Sequence, residues 1–340
     1  MRRARPSARW PRALLGVSFG LLLVYLAELA ARIAQVQPAY VADQVGGWRM
    51  MSEMRAARMD TREGASFGLT TNADGMRTQL PVAHPGARAR VALLGDSTVF
   101  GWGVDDGSTV ADGLQHALDV DGGPQVEVLN AAQPGYSTTQ SAVFFERVVA
   151  KYQPDLVVQF LPMHDHNLVL VSDREHLDGP SGPLSGLRVS LAQHSRLYQA
   201  LRQALFPLAS EPFLLPGRGD AEPRVPRVSD AERADNFDGL RARLAEWGGR
   251  LALGHLPFLD DLGSVEAVPR VGADWASAYA GQHDLVVVDL RRCCGPGAEH
   301  LVLPHDPGHL GAEGNLRAGA AAAPQVRAAL AKTSRYGSSR

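Results

Sequence analysis

Short apolar runs alternate with stretches of helical periodicity over most of the chain. The runs fall at residues 90–94, 125–130, 156–161, 250–256 and 285–290. Each has strand length. Between them, helical spacing predicts helices over 109–118, 138–151 and 229–247, and an Ala-rich one over 313–331. The third opens with Ser229-Asp230-Ala231-Glu232, in which the Ser and the Glu three residues on can cap each other's orphan backbone N–H groups. Strands alternating with helices predict crossover units, hence one α/β domain with a central parallel five-stranded sheet inside a three-layer α/β/α sandwich. In such sheets a site is expected beyond the C-terminal ends of the strands.

The N-terminus has a different pattern. Arg2, Arg3, Arg5, Arg9 and Arg12 precede an uncharged run from Ala13 to Ala27, which resumes after Glu28 through Ala31. Counted through Glu28, the run is close to the length of a transmembrane helix, and a Glu at its outer rim can snorkel to the headgroups. Without Glu28 it is short enough for a signal-peptide core, although Leu29-Ala30-Ala31 is a marginal cleavage site. The expectation is an uncleaved membrane anchor, with a cleaved signal as the alternative. The basic flank then stays in the cytoplasm, and residues beyond about 34 lie on the extracytoplasmic side. The chain is expected to divide into a tip and anchor (1–34), a juxtamembrane segment (35–85), a domain (86–331) and a disordered tail (332–340). Within the domain, residues 168–248 hold a long excursion with Pro/Gly-rich stretches and a helical piece near 195–205, expected to form a cap or rim beside the site.

Composition narrows the function. The 340 residues carry 34 basic and 36 acidic side chains, a net charge of -2, so no overall field recruits nucleic acid. The two cysteines, Cys293 and Cys294, are adjacent and are expected to be free thiols.

Four segments carry the candidate chemistry. The first predicted strand ends in Gly95-Asp96-Ser97-Thr98, where Gly permits a sharp turn that exposes the Ser97 hydroxyl beside backbone N–H donors. The second runs into Asn130-Ala131-Ala132-Gln133-Pro134-Gly135, and Gly135 can present an unobstructed N–H. The third runs into Pro162-Met163-His164-Asp165-His166; continued strand alternation would turn His164 and His166 to opposite faces, leaving one to line the site. After the fifth comes Leu303-Pro304-His305-Asp306-Pro307-Gly308-His309, in which Asp306 can accept the His309 Nδ1–H and leave Nε2 to take the Ser97 proton. Pro304, Pro307 and Gly308 oppose the helix that would pair His305 with His309 as metal ligands.

In order, these segments resemble the four blocks of the SGNH/GDSL hydrolase family. Asn72-Ala73-Asp74-Gly75-Met76-Arg77, Gly101-Trp102-Gly103-Val104, Tyr152-Gln153-Pro154-Asp155 and His194-Ser195-Arg196-Leu197-Tyr198 resemble a bacterial, membrane-anchored branch. The resemblance spans roughly residues 70–330. It implies a flavodoxin-like SGNH fold and a serine esterase acting through an acyl-enzyme, with Ser97, His309 and Asp306 as the triad. It further implies an oxyanion hole from the Ser97 and Gly135 N–H groups, and no metal or organic cofactor. One block departs: where the family has Gly-x-Asn-Asp, this chain has Pro162-Met163-His164-Asp165, so His164 takes the place of the Asn donor. The substrate is expected to be a small ester, a lipid or an acylated glycan. The alternatives are an O-acyltransferase acting on an envelope or extracellular glycan, and a catalytically weakened SGNH-fold binding protein.

Overall fold

The computed structural model describes residues 9–33, 40–43, 47–61, 64, 66–83, 88–120, 125–169, 171–178, 187, 190–191, 194–205, 225–257, 273–295, 297–304 and 306–333. The chain separates into two compact units, one of residues 1–44 with 181–215 and one of 45–180 with 216–340.

The larger unit holds the five strands read from the apolar runs: β1 (Ala89–Leu94), β2 (Val126–Asn130), β3 (Leu156–Phe160), β4 (Arg250–His255) and β5 (Val287–Asp289). They form one parallel sheet in the order β5-β4-β3-β1-β2. Every residue of β1, β2 and β3 is buried, because a parallel sheet is covered by its crossover helices on both faces. The strand order turns back between β1 and β3, the switch point at which such folds open a crevice.

Helices stand at three of the predicted places, the one read at 138–151 ends early, and two more, at Ser97–Phe100 and Ala273–Gln282, were not anticipated. Among the described residues of this unit they are α2 (Ser97–Phe100), α3 (Val110–Val120), α4 (Thr138–Phe144), α6 (Asp230–Ala245), α7 (Ala273–Gln282) and α8 (Ala312–Leu330), with a further short helix at Asp173–Asp178. Both halves of the capping box form at α6: the Ser229 hydroxyl takes the Glu232 N–H, and the Glu232 carboxylate takes the Ser229 N–H at 2.7 Å. α8 packs along α3, where a Cβ at Gly113 or Gly319 would run into the backbone of the facing helix.

The unit begins well before β1. Met50 is fully buried, and its N–H donates to Gln133 Oε1 at 2.8 Å, while Gln133 Nε2 donates to the Gly75 carbonyl at 3.0 Å. Buried Arg77 staples the glycine turn after α2 through the Gly101 and Val104 carbonyls, both at 2.7 Å. Asp74 accepts from Tyr152 Oη at 2.6 Å, and Asp155 accepts the Arg90 N–H at 2.8 Å. The Asn72–Arg77 and Tyr152–Asp155 motifs are thus structural fasteners.

In the smaller unit, α1 (Arg9–Ile33) carries the apolar run, and α5 (Arg196–Leu205) is the helical piece of the excursion. Ala13–Ile33 is long and apolar enough to cross a membrane as an anchor or to serve as a signal sequence, with mean hydropathy 2.0. Glu28 on this helix is held by hydrogen bonds. Its carboxylate accepts the Ser195 hydroxyl at 2.9 Å, the Arg196 and Leu197 N–H groups at 3.0 and 2.9 Å, and Arg32 Nε at 2.8 Å. Cys293 and Cys294 are free, as expected.

Candidate active site

Ser97 opens α2 directly off the C-terminal end of β1. Gly95 makes the turn possible, since a Cβ there would sit 2.6 Å from Val99 Cγ2, and valine has little freedom to move aside. Asp96 caps the short helix, its Oδ1 accepting the Thr98 N–H at 2.9 Å and the Thr98 hydroxyl at 2.6 Å. The turn carrying Gly135 is tied to the same place through the Gln133 N–H, which donates to the Gly95 carbonyl at 3.1 Å. Gly135 itself adopts φ +74, a left-handed conformation that favours glycine.

His309 arrives from the other end of the chain on the strand Asp306–Leu310, which pairs with Val302–Leu303 in an irregular antiparallel hairpin before α8. Its Nε2 lies 2.7 Å from Ser97 Oγ and its Nδ1 lies 2.8 Å from Asp306 Oδ2. The other Asp306 oxygen accepts the Gly308 N–H at 3.2 Å. Burial works against the charged Asp306 carboxylate, yet the His309 hydrogen bond, the His309 charge and the Gly308 N–H together hold its pKa below the usual range. An ionised Asp306 fixes the His309 proton on Nδ1, leaving Nε2 as an acceptor facing the Ser97 hydroxyl. Proton transfer from Ser97 to His309 is the chemistry this geometry permits.

His164 is placed by a conformation the sequence pattern missed. Strand alternation stops at Phe160, Pro162 has no N–H for a ladder, and Met163–His166 coil into a 3-10 turn. Opposite-face alternation therefore does not apply to His164 and His166. His164 Nε2 stands 3.8 Å from Asp96 Oδ2, beyond hydrogen-bond range, and its Nδ1 lies 3.3 Å from Asn167 Nδ2. An amide N–H directed at Nδ1 favours the tautomer that carries its proton on Nε2, on the side of the Ser97 turn. Burial, reinforced by Arg227 and His309 and opposed by Asp96 and Asp165, lowers the His164 pKa below the ordinary histidine value. His305 lies outside the described residues.

Two buried arginines hold the turns after β2 and β3, and neither was evident in the sequence. Arg233 donates to Asp165 at 2.9 Å, and Asp165 also accepts the Thr138 N–H and hydroxyl at 2.9 and 2.8 Å, so the residue after His164 caps α4. Arg227 donates to the Gly135 carbonyl at 3.1 Å, to Gln140 Oε1 at 2.7 Å and to Asp173 at 2.8 Å. A block motif flags Asp165, but its arginine partner is 68 residues away, and no local pattern announces it. Replacing Arg233 with Met leaves a buried carboxylate uncompensated and is expected to cost about 3–5 kcal/mol, read as a drop in denaturant midpoint. An unchanged midpoint would show that the pair contributes nothing.

His164 also gives a signed pH effect. Its folded pKa lies below the ordinary histidine value, so as pH falls through about 6.5 the unfolded chain takes up a proton that the folded chain refuses. This contribution to stability is present above that pH and is lost below it. Thermal unfolding at pH 7.5 and pH 5.5 should therefore show a smaller acid loss for His164→Asn than for the wild type; equal losses would contradict it.

Neither a protein-family model nor a curated protein matches this chain. Solved structures that resemble it include a lipase/acylhydrolase from Enterococcus faecalis, 18% identical, with 71% of this chain and 96% of that one covered and a TM-score of 0.42. An α/β hydrolase enzyme from the metagenome of Lake Arreo is 16% identical over 73% and 97% of the two chains, TM-score 0.41. A catalytic mutant of an acetylxylan esterase from Geobacillus stearothermophilus is 14% identical over 72% and 96%, TM-score 0.40.

Proposed function

We propose that this chain is a serine ester hydrolase of the SGNH/GDSL family, held at a membrane by α1 with its α/β domain on the extracytoplasmic side. The observation that carries the reading is the continuous hydrogen-bonded line from Ser97 Oγ through the His309 ring to Asp306, 2.7 and 2.8 Å at its two links. The ordered family blocks support it.

Ser97 Oγ attacks an ester carbonyl while His309 Nε2 takes the hydroxyl proton, and Asp306 stabilises the imidazolium. The Ser97 and Gly135 N–H groups and His164 Nε2–H donate to the oxyanion. His309 then passes its proton to the leaving alkoxide, giving the acyl-enzyme. Water, deprotonated by the same His309, releases the acid and frees Ser97. Every proton in this cycle is accounted for by the chain's own groups and the attacking water.

A fluorophosphonate probe should label the wild type and not Ser97→Ala; equal labelling of the two would sink the reading. A p-nitrophenyl ester series from acetate to palmitate then sets the acyl preference. His164 has a test of its own. Removing an oxyanion donor typically costs about 10²–10³ in kcat, so His164→Leu should lose that much with KM little changed. His164→Asn, which keeps an N–H donor of different reach, should fall less. A His164→Leu enzyme within two-fold of wild type would remove His164 from the oxyanion hole.

A further inference from the structure

The segment His194–Tyr198, singled out in the sequence, lies in the smaller unit. It starts α5 (Arg196–Leu205), and its backbone is clasped by Glu28 of α1. We propose that α5 is an interfacial helix that lies in the outer headgroup region of the bilayer, pinned to the membrane-spanning helix by Glu28, with its apolar face toward lipid. This rests on reading α1 as a membrane anchor.

Depth is the first argument. Ala13–Ile33 has 21 residues, which at 1.5 Å each gives about 31 Å, matching a hydrocarbon core of about 30 Å. Glu28 precedes Ile33 by five residues, which puts it roughly 7.5 Å inside the outer boundary. A carboxylate at that depth needs donors. Ser195 Oγ, the Arg196 and Leu197 N–H groups and Arg32 supply them, and in doing so they bring the start of α5 to the same level. Interfacial helices bury their apolar face about 5–10 Å deep, the same range.

The second argument is the orientation of α5. Leu197, Tyr198 and Leu201 fall on one face at helical spacing, and Arg196 and Gln199 fall on the other. In a water-facing helix the leucine stripe would be covered and the glutamine exposed. Here Gln199 is 5% exposed while Leu201 is 51% exposed and Leu197 and Tyr198 are half-buried. Leu187 and Leu191, just upstream, are exposed as well, as are the leucines of α1. An apolar face left open beside a spanning helix, with Arg32 and Arg196 at the polar level, fits a lipid monolayer with anionic headgroups.

The test uses the full chain with Cys293→Ser and Cys294→Ser, labelled with an environment-sensitive fluorophore at Leu201→Cys or Leu21→Cys. The protein is placed in phosphatidylcholine/phosphatidylglycerol vesicles whose acyl chains are brominated near the headgroup or near the tail. The Leu201 label should be quenched more by shallow than by deep bromines, and the Leu21 label the reverse. Glu28→Leu should at least halve quenching at Leu201 and leave Leu21 unchanged. Quenching at Leu21 with none at Leu201 would overturn the proposal while leaving the anchor intact. If Leu21 is not quenched either, the anchor reading itself fails. Protection of Leu201 that appears only at high protein density would assign the face to a second copy and overturn the lipid assignment. Undiminished Leu201 quenching in Glu28→Leu would overturn the pinning role.

Discussion

Ser97→Ala is expected to lower kcat for a p-nitrophenyl ester by about 10⁶, and His309→Ala to lower it by a similar factor, because the two residues act as one device. Ser97 without its base keeps its proton, and His309 without the hydroxyl has nothing to activate; the single 2.7 Å contact serves both. The double variant should therefore be scarcely worse than either single one. Independent contributions would instead multiply to about 10¹², more than the whole of many enzymatic accelerations. KM should stay within a few-fold in all three, since neither side chain is asked to bind the ground state. Single-turnover and steady-state rates on purified variants decide the matter. Ser97→Ala activity above a tenth of wild type would mean that another nucleophile does the work. A double variant far below both single ones would mean that the 2.7 Å contact is not the functional unit.

The legible parts of the fold were those fixed by local pattern. Five apolar runs gave five strands with ends displaced by at most two residues, the largest shifts falling on β5, which has one neighbour and frays where pairing stops. The helix read at 138–151 is less simple, with α4 ending at Phe144 and a π-helical turn, Phe145–Val149, following it. Phe144 and Val149 are both buried, as are Phe145 and Ala150; each pair is five apart, a spacing that a wider turn keeps on one face and an α-helix does not. The sequence held that cue, but helical periodicity alone does not ask for it.

What stayed hidden depended on partners far apart in the chain. Asp165 needs Arg233, Gly135 needs Arg227, and beyond its neighbour Arg32, Glu28 finds donors in Ser195, Arg196 and Leu197, up to 169 residues away. No window shorter than the fold shows these pairs. His164 was visible as a departure from a motif, yet its placement depends on a 3-10 turn that Pro162 begins, so counting strand positions gave the wrong geometry. Ser97, Asp306 and His309 were legible for the opposite reason. Ser97 follows the turn at Gly95, and Asp306 and His309 flank Pro307 and Gly308, residues whose backbone constraints are written in their names.

Asp306→Asn provides the sharper test of mechanism, because it preserves shape and changes one proton. In the wild type the carboxylate accepts the His309 Nδ1–H at 2.8 Å and leaves Nε2 bare. An asparagine can meet Nδ1 with its Nδ2–H, which makes Nδ1 the acceptor and moves the ring proton to Nε2, against the Ser97 hydroxyl. The base is then present, correctly packed and in the wrong tautomer. A fall in kcat of about 10⁴ is expected, with KM nearly unchanged. Asp306→Ala should also be slow, but its imidazole is free to sample both tautomers, so it should be no worse than Asp306→Asn despite removing more of the side chain. That ordering is the informative result. If Asp306 served only to position the ring, the near-isosteric Asn would be the milder change and Ala the severe one. Measured kcat for the two variants therefore separates an aspartate that sets a proton from one that merely holds a ring.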